Sequence, residues 1–193
     1  MRDRDVRRAL FQKVLCDHAG QADTRVLNEL GLKHGAGRVD VAVVNGHLHG
    51  FEIKSDADTL ERLPGQIEIY NAVLDKVTLV CGERHAEKAR RLIPEWWGVK
   101  VAVQGPRQAV HFETVETARV NRGVDPVAVA QLLWRDEVIE ILLDMGLPGM
   151  VLRRPRAALY RDLASFMELD DLRRTVRQRL KSRENWRGHQ PPV

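Results

Sequence analysis

The chain is poor in cysteine: two thiols, Cys16 and Cys81, stand far apart among 193 residues. They offer neither a disulfide framework nor a zinc-ligand pattern, and read as buried or incidental thiols. No apolar run approaches the ~20 residues of a membrane span, so no membrane partner is expected. The opening Met1-Arg2-Asp3-Arg4-Asp5 is too charged to begin a secretory signal, which makes a cytoplasmic location the expectation. Internal repeats and low-complexity segments are lacking as well. Of seven histidines only His47 and His49 stand at a ligand-like spacing, and a solvated turn accounts for that pair.

What is present is a hydrophobic content of 44%, enough to bury one substantial core with a small appendage. The order of elements is α/β. Residues 3–18 read as a charged amphipathic helix, with Val6, Leu10 and Val14 recurring every four residues as a buried stripe. Strands are expected at 24–30, ending at Gly31, and on both sides of Asn45-Gly46. A helix over 59–74, a strand over 76–80, a helix over 84–93 stopped by Pro94 and a strand over 99–103 follow.

The polar, turn-rich segment 107–125 reads as a linker between a core, residues 1–106, and a basic helical extension, residues 126–193. Asp125-Pro126 predicts an N-cap opening a helix that runs to about Met145, capped by Gly146, and two more helices are expected at 155–167 and 169–183. Leu132, Leu133, Ile139, Leu142 and Leu143 supply apolar surface to dock the extension on the core. Trp134 is expected to anchor it there, and Trp96-Trp97 to pack in the core or at a hinge. Residues 151–193 carry ten arginines and one lysine against five acids, whereas the whole chain is only +4. Arg153, Arg154, Arg156, Arg161, Arg173, Arg174, Arg177, Lys181 and Trp186 thus make a candidate handle for a polyanion, or a solvated helix surface with local ion pairs.

The chemistry concentrates in the hairpin. Asp40 and the run Glu52-Ile53-Lys54 are separated by eleven residues that contain Asn45-Gly46. Strand side chains alternate between faces, so Glu52 and Lys54 share one face and Ile53 takes the other. A two-residue loop would pair Val44 with His47 and send Asp40 and Glu52 to opposite faces. A three-residue loop, Asn45-Gly46-His47, pairs Val44 with Leu48 and sets Asp40 across from Glu52, with Gly46 expected in the left-handed position of a bulged turn. Two carboxylates and the Ile53 carbonyl are hard oxygen donors that suit Mg²⁺ or Mn²⁺, and a nearby Lys54 can hold or deprotonate an attacking water. Alone, the pattern fits a solvated hairpin face equally well. Glu29 can add a third carboxylate from the neighbouring strand. Arg62, Gln66 and Tyr70 recur every four residues on the predicted 59–74 helix, a row suited to phosphate and water.

Together, Asp40, Glu52-Ile53-Lys54 and Gln66-Ile67-Glu68-Ile69-Tyr70 resemble the PD-(D/E)XK, or restriction-endonuclease-like, nuclease superfamily and the Q-x-x-x-Y helix of its RecB-like branch. Asn28-Glu29-Leu30-Gly31 and Arg38-Val39-Asp40-Val41 are similar to a small bacterial and phage subgroup of it, and more loosely to MmcB-like DNA-repair proteins. The likeness spans residues 24–82, and Val39 stands where the superfamily's name has proline. The resemblance implies a core of helix, three-stranded meander, helix and strand. It implies Asp40, Glu52 and the Ile53 carbonyl as metal ligands with Glu29 as an additional acid, Lys54 as the catalytic lysine, and Gln66, Tyr70 and Arg62 in support. The expected protein is a Mg²⁺- or Mn²⁺-dependent deoxyribonuclease acting on DNA, with RNA and a homodimer also compatible. The alternative is a catalytically silent nucleic-acid-binding or regulatory protein on the same fold.

Overall fold

The loop closes as the parity argument requires, with Val44 paired to Leu48 between strands β2, Gly37–Val44, and β3, Leu48–Lys54. Its conformation differs from expectation. Gly46 is not among the positive-φ residues, and the turn is held instead by Asn45, whose Oδ1 accepts from His47 N–H at 3.1 Å. An Asx-type side chain performs the closing that a left-handed glycine was expected to perform.

The computed structural model describes residues 1–18, 21 and 23–183. Its six-stranded sheet has the order β1 to β6, with β1 at Arg25–Leu32, β4 at Lys76–Gly82, β5 at Gly98–Gln104 and β6 at Val110–Glu116. Strands β3, β4 and β5 are parallel to one another, and the remaining neighbours are antiparallel. The parallel pairs are joined through helices α2, Leu63–Val73, and α3, Glu83–Leu92. The fold is therefore α/β with a mixed sheet. Helix α1, Asp3–Lys13, covers one face and buries Val6 and Leu10 against Val41, Val43, Phe51 and Ile53. The other face packs on α2 and on the C-terminal helices α4, Pro126–Ala130, α5, Arg135–Asp144, α6, Arg156–Phe166, and α7, Leu169–Ser182.

Four expectations need correction. β1 continues through Gly31 to Leu32. The segment expected as a linker contains β6, whose polar composition is that of an edge strand half open to water. The helix expected over 125–145 is two helices, and although Asp125 caps the first through Val127 N–H, Trp134 caps the second and is 52% exposed rather than a core anchor. Trp97, by contrast, is fully buried.

The extension docks through Asp75, a buried carboxylate between α2 and β4. It accepts from Leu48 N–H at 2.7 Å and pairs with Arg173 at 3.0 Å and Arg177 at 3.4 Å, both from α7. Removing one member of a buried pair leaves its partners' charge uncompensated. Asp75→Ala is expected to cost roughly 3 kcal/mol in urea unfolding, and an unchanged midpoint would show that this contact does not fasten α7.

Candidate active site at the β2–β3 hairpin

Glu52 and Lys54 point from β3 toward α2 and are only 2% and 4% exposed. Lys54 Nζ donates to Glu52 Oε1 at 2.5 Å, and Gln66 Nε2 donates to the same oxygen at 2.6 Å. Gln66 and Tyr70 lie one turn apart on α2, which is why both reach this carboxylate. The Tyr70 hydroxyl lies 2.6 Å from Glu52 Oε2 and 2.7 Å from the Arg38 carbonyl. It carries one proton and faces two acceptors. Burial pushes the Glu52 carboxyl upward, Asp40 adds to this and Lys54 opposes it. Burial and Glu52 together push the Tyr70 phenol upward too.

Asp40 sits where the β1–β2 ladder is interrupted. Asn28 pairs with Val41 and Leu30 with Val39, so no residue is inserted, yet Glu29 between them has φ +56°. The side-chain alternation shifts there: Leu27, Leu30 and Leu32 all enter the same core, while Val39 and Val41 enter different ones. A left-handed non-glycine residue costs on the order of 1–3 kcal/mol, and such strain gathers at functional sites. Asp40 Oδ2 accepts from Ile53 N–H at 2.8 Å, which ties it to the strand carrying Glu52. Its Oδ1 accepts from Arg7 at 2.8 Å.

Asp40, Glu52, Lys54 and Gln66 line one cavity of about 480 Å³. Among its lining residues are five acids, Asp3, Glu29, Asp40, Glu52 and Asp58, against four cations, Arg7, Arg38, Lys54 and Arg62. The structure thus brings together Asp40, Glu52, Lys54, Gln66 and Tyr70. It treats two expected members differently. Glu29 is drawn to Arg38 at 2.6 Å and Arg7 at 3.3 Å, and among the described residues no three His, Cys, Asp or Glu side chains group to hold a metal. Arg62 is the N-cap of α2 rather than a residue inside it; its carbonyl accepts from Gln66 N–H at 3.1 Å, and it lines the same cavity as Gln66. Arg7, Asp3 and Asp58 were missed. The only sequence signal for Arg7 was its place beside Val6, at the margin of the buried stripe of α1.

The donor set fits Mg²⁺ or Mn²⁺ as a two-carboxylate site, with Ile53 able to add its carbonyl and water or phosphate to fill the remaining positions. Gln66 Oε1 is buried without a donor from the protein, an acceptor suited to an ordered water. Elsewhere, the basic extension is largely committed internally. Arg173 and Arg177 hold Asp75, Arg179 holds Glu140, Lys181 holds Asp23, and Arg183 holds Glu137 and stacks over Trp134 at 4.2 Å. Trp186 lies outside the described residues. His49 is not a solvated turn residue: it bonds Thr78 and stacks on Phe51, and burial lowers its pKa to about 3.

Fold and site define an α/β protein with a lysine-paired carboxylate at the open end of a hairpin. The chain belongs to the bacteriophage P4 protein cII family, which it matches over residues 1–188. Protein cII of Enterobacteria phage P4 is 29% identical over 187 residues, covering 95% of this chain and 68% of that protein. Among solved structures, a protein of unknown function from Silicibacter pomeroyi is similar over 76% of this chain and 94% of its own, at 20% identity and a TM-score of 0.45. No described helix is long and apolar enough to cross a membrane.

Because the folded-state pKa of Glu52 is raised, its ionisation destabilises the fold as pH rises through that value. A glutamine has no such proton to lose. The stability of Glu52→Gln relative to wild type is therefore expected to improve from mildly acidic to neutral pH, measured by urea unfolding in EDTA. A variant that falls further behind wild type over this range would contradict the assignment.

Proposed function

We propose that this protein is a divalent-metal-dependent nuclease of the PD-(D/E)XK, restriction-endonuclease-like class, which hydrolyses phosphodiester bonds in DNA in the cytoplasm. The observation that carries this reading is that Asp40, Glu52, Lys54 and Gln66, from two strands and one helix, line a single cavity, with the buried Tyr70 bonded to Glu52 behind it. In this reading Asp40 and Glu52, with the Ile53 carbonyl, hold the cation. Mg²⁺ or Mn²⁺ bound there supplies Lewis acidity toward a phosphate oxygen and acidifies a bound water. Lys54, anchored on Glu52, holds an ammonium beside the attacking water and offsets charge that develops on the phosphate. Gln66 and Tyr70 fix the Glu52 carboxylate by direct hydrogen bonds, the support that metal-ligating carboxylates need. Arg62 stands at the cavity wall, where it can contact an entering phosphate.

A second reading is favoured by the ion pairs themselves. Arg7 on Asp40 and Lys54 on Glu52 already neutralise both acids, which suits a silent module that binds nucleic acid without cutting it. Linear, circular and single-stranded DNA, and RNA, incubated with Mn²⁺ separate the two. The nuclease reading expects cleavage by wild type and a loss of about 100-fold or more in Lys54→Ala. Binding without Lys54-dependent cleavage would establish the silent module instead.

A further inference from the structure

Arg7 touches three of the carboxylates that line the cavity. Its Nη2 lies 2.8 Å from Asp40 Oδ1 and 3.3 Å from Glu29 Oε1, its Nη1 donates to the Asp40 carbonyl at 3.1 Å, and its Nε lies 3.6 Å from Asp3 Oδ1. The side chain is 14% exposed, so this guanidinium is held in place rather than sampling solvent. Glu29 does not depend on it alone, because Arg38 takes its other oxygen at 2.6 Å.

The two oxygens of Asp40 are used differently. Oδ2 is turned to the backbone of Ile53, a bond within the hairpin that leaves the carboxylate where it is. Oδ1 is turned to Arg7. A carboxylate oxygen has more than one lone-pair direction, so Oδ1 can in principle serve a second partner. A divalent cation approaching Asp40 nevertheless meets a fixed positive charge in hydrogen-bond contact with its ligand, and at such range the repulsion is substantial even with strong screening. A phosphate experiences the opposite. A guanidinium presents paired N–H donors that match phosphate oxygens, and its attraction to a phosphate competes directly with its attraction to Asp40.

We propose that Arg7 is an exchangeable counter-ion, a positioning residue that neutralises Asp40 until a nucleotide phosphate enters and then moves to the phosphate. The divalent cation and the phosphate thereby assist each other's binding. This rests on the reading of Asp40 as a metal ligand. It assigns a role to α1, which contributes no carboxylate ligand to the site, and it explains why a half-buried arginine is held against the very acid that a cation requires. By linkage, the factor by which phosphate tightens cation binding equals the factor by which the cation tightens phosphate binding.

The test is calorimetric titration of Mn²⁺ into wild type, Arg7→Met, Arg7→Lys and Asp40→Asn, each with and without thymidine 5′-monophosphate, with circular dichroism to confirm folding. In wild type the nucleotide is expected to tighten Mn²⁺ binding by about fivefold or more. Arg7→Met is expected to bind Mn²⁺ alone about tenfold more tightly than wild type, since one opposing charge is gone, and to lose the nucleotide effect. Structural damage would weaken Mn²⁺ binding, the opposite sign. Arg7→Lys, which keeps the charge but not the fork, is expected to show a reduced nucleotide effect, and decides the matter if Arg7→Met does not fold. Equal or weaker Mn²⁺ binding by a folded Arg7→Met, or an unchanged nucleotide effect in Arg7→Lys, overturns the proposal. If Asp40→Asn abolishes Mn²⁺ binding while Arg7→Met matches wild type, the counter-ion role alone falls. If wild type binds no Mn²⁺, the reading of Asp40 falls and this role falls with it.

Discussion

A carboxylate taken out of water needs a counter-charge and hydrogen bonds, and Glu52 obtains all of these from its immediate surroundings. Lys54 comes from the same face of the same strand, and Gln66 and Tyr70 come from successive turns of the helix that follows. Tyr70 extends the arrangement to β2 through the Arg38 carbonyl. One acid thus fixes the relative positions of β2, β3 and α2. A buried ion pair of this kind is a weak source of stability, because well-packed apolar residues of similar volume serve as well or better. Its presence is better explained by what the carboxylate can hold than by what it adds to the fold.

The second constraint is the interruption of the β1–β2 ladder at Glu29 and Asp40. Changing the face of two adjacent strands at the same level keeps Leu30 and Val39 in the α2-side core while Asp40 remains in reach of the Ile53 amide and of α1. The site is therefore assembled from both sides of the sheet: Glu52 is organised from α2 and Asp40 from α1. The two acids carry different partners, Lys54 on one and Arg7 on the other, which makes their electrostatic environments separable by mutation.

Much of this was legible because period-two and period-four arguments are local. Parity chose the three-residue hairpin loop, and the spacing of Gln66 and Tyr70 put both on one helical face. The misreadings have physical causes. Pro64 lies in the first turn of α2, and a helix extended back to residue 59 would place that proline in its interior, so Arg62 is the cap of the helix rather than part of it. The break between α4 and α5 contains neither glycine nor proline and left no breaker signal. β6 reads as polar because it is an edge strand. The basic residues of α7 and its C-cap looked like a surface for polyanions because their partners, Asp75, Glu137, Glu140 and Asp23, are remote in sequence. Arg7 and the left-handed Glu29 involve contacts between distant segments, which no local pattern announces.

Membership of the phage P4 cII family places the chain among relatives without assigning it a chemistry, so the account stands on the geometry of the hairpin end. Its central claim is that Asp40 and Glu52 share one divalent cation. Anomalous diffraction from crystals equilibrated with Mn²⁺ tests this most directly. If Asp40 and Glu52 hold one cation, a peak appears in the cavity they line with Ile53; a saturating Mn²⁺ soak that leaves this position without signal would contradict the account.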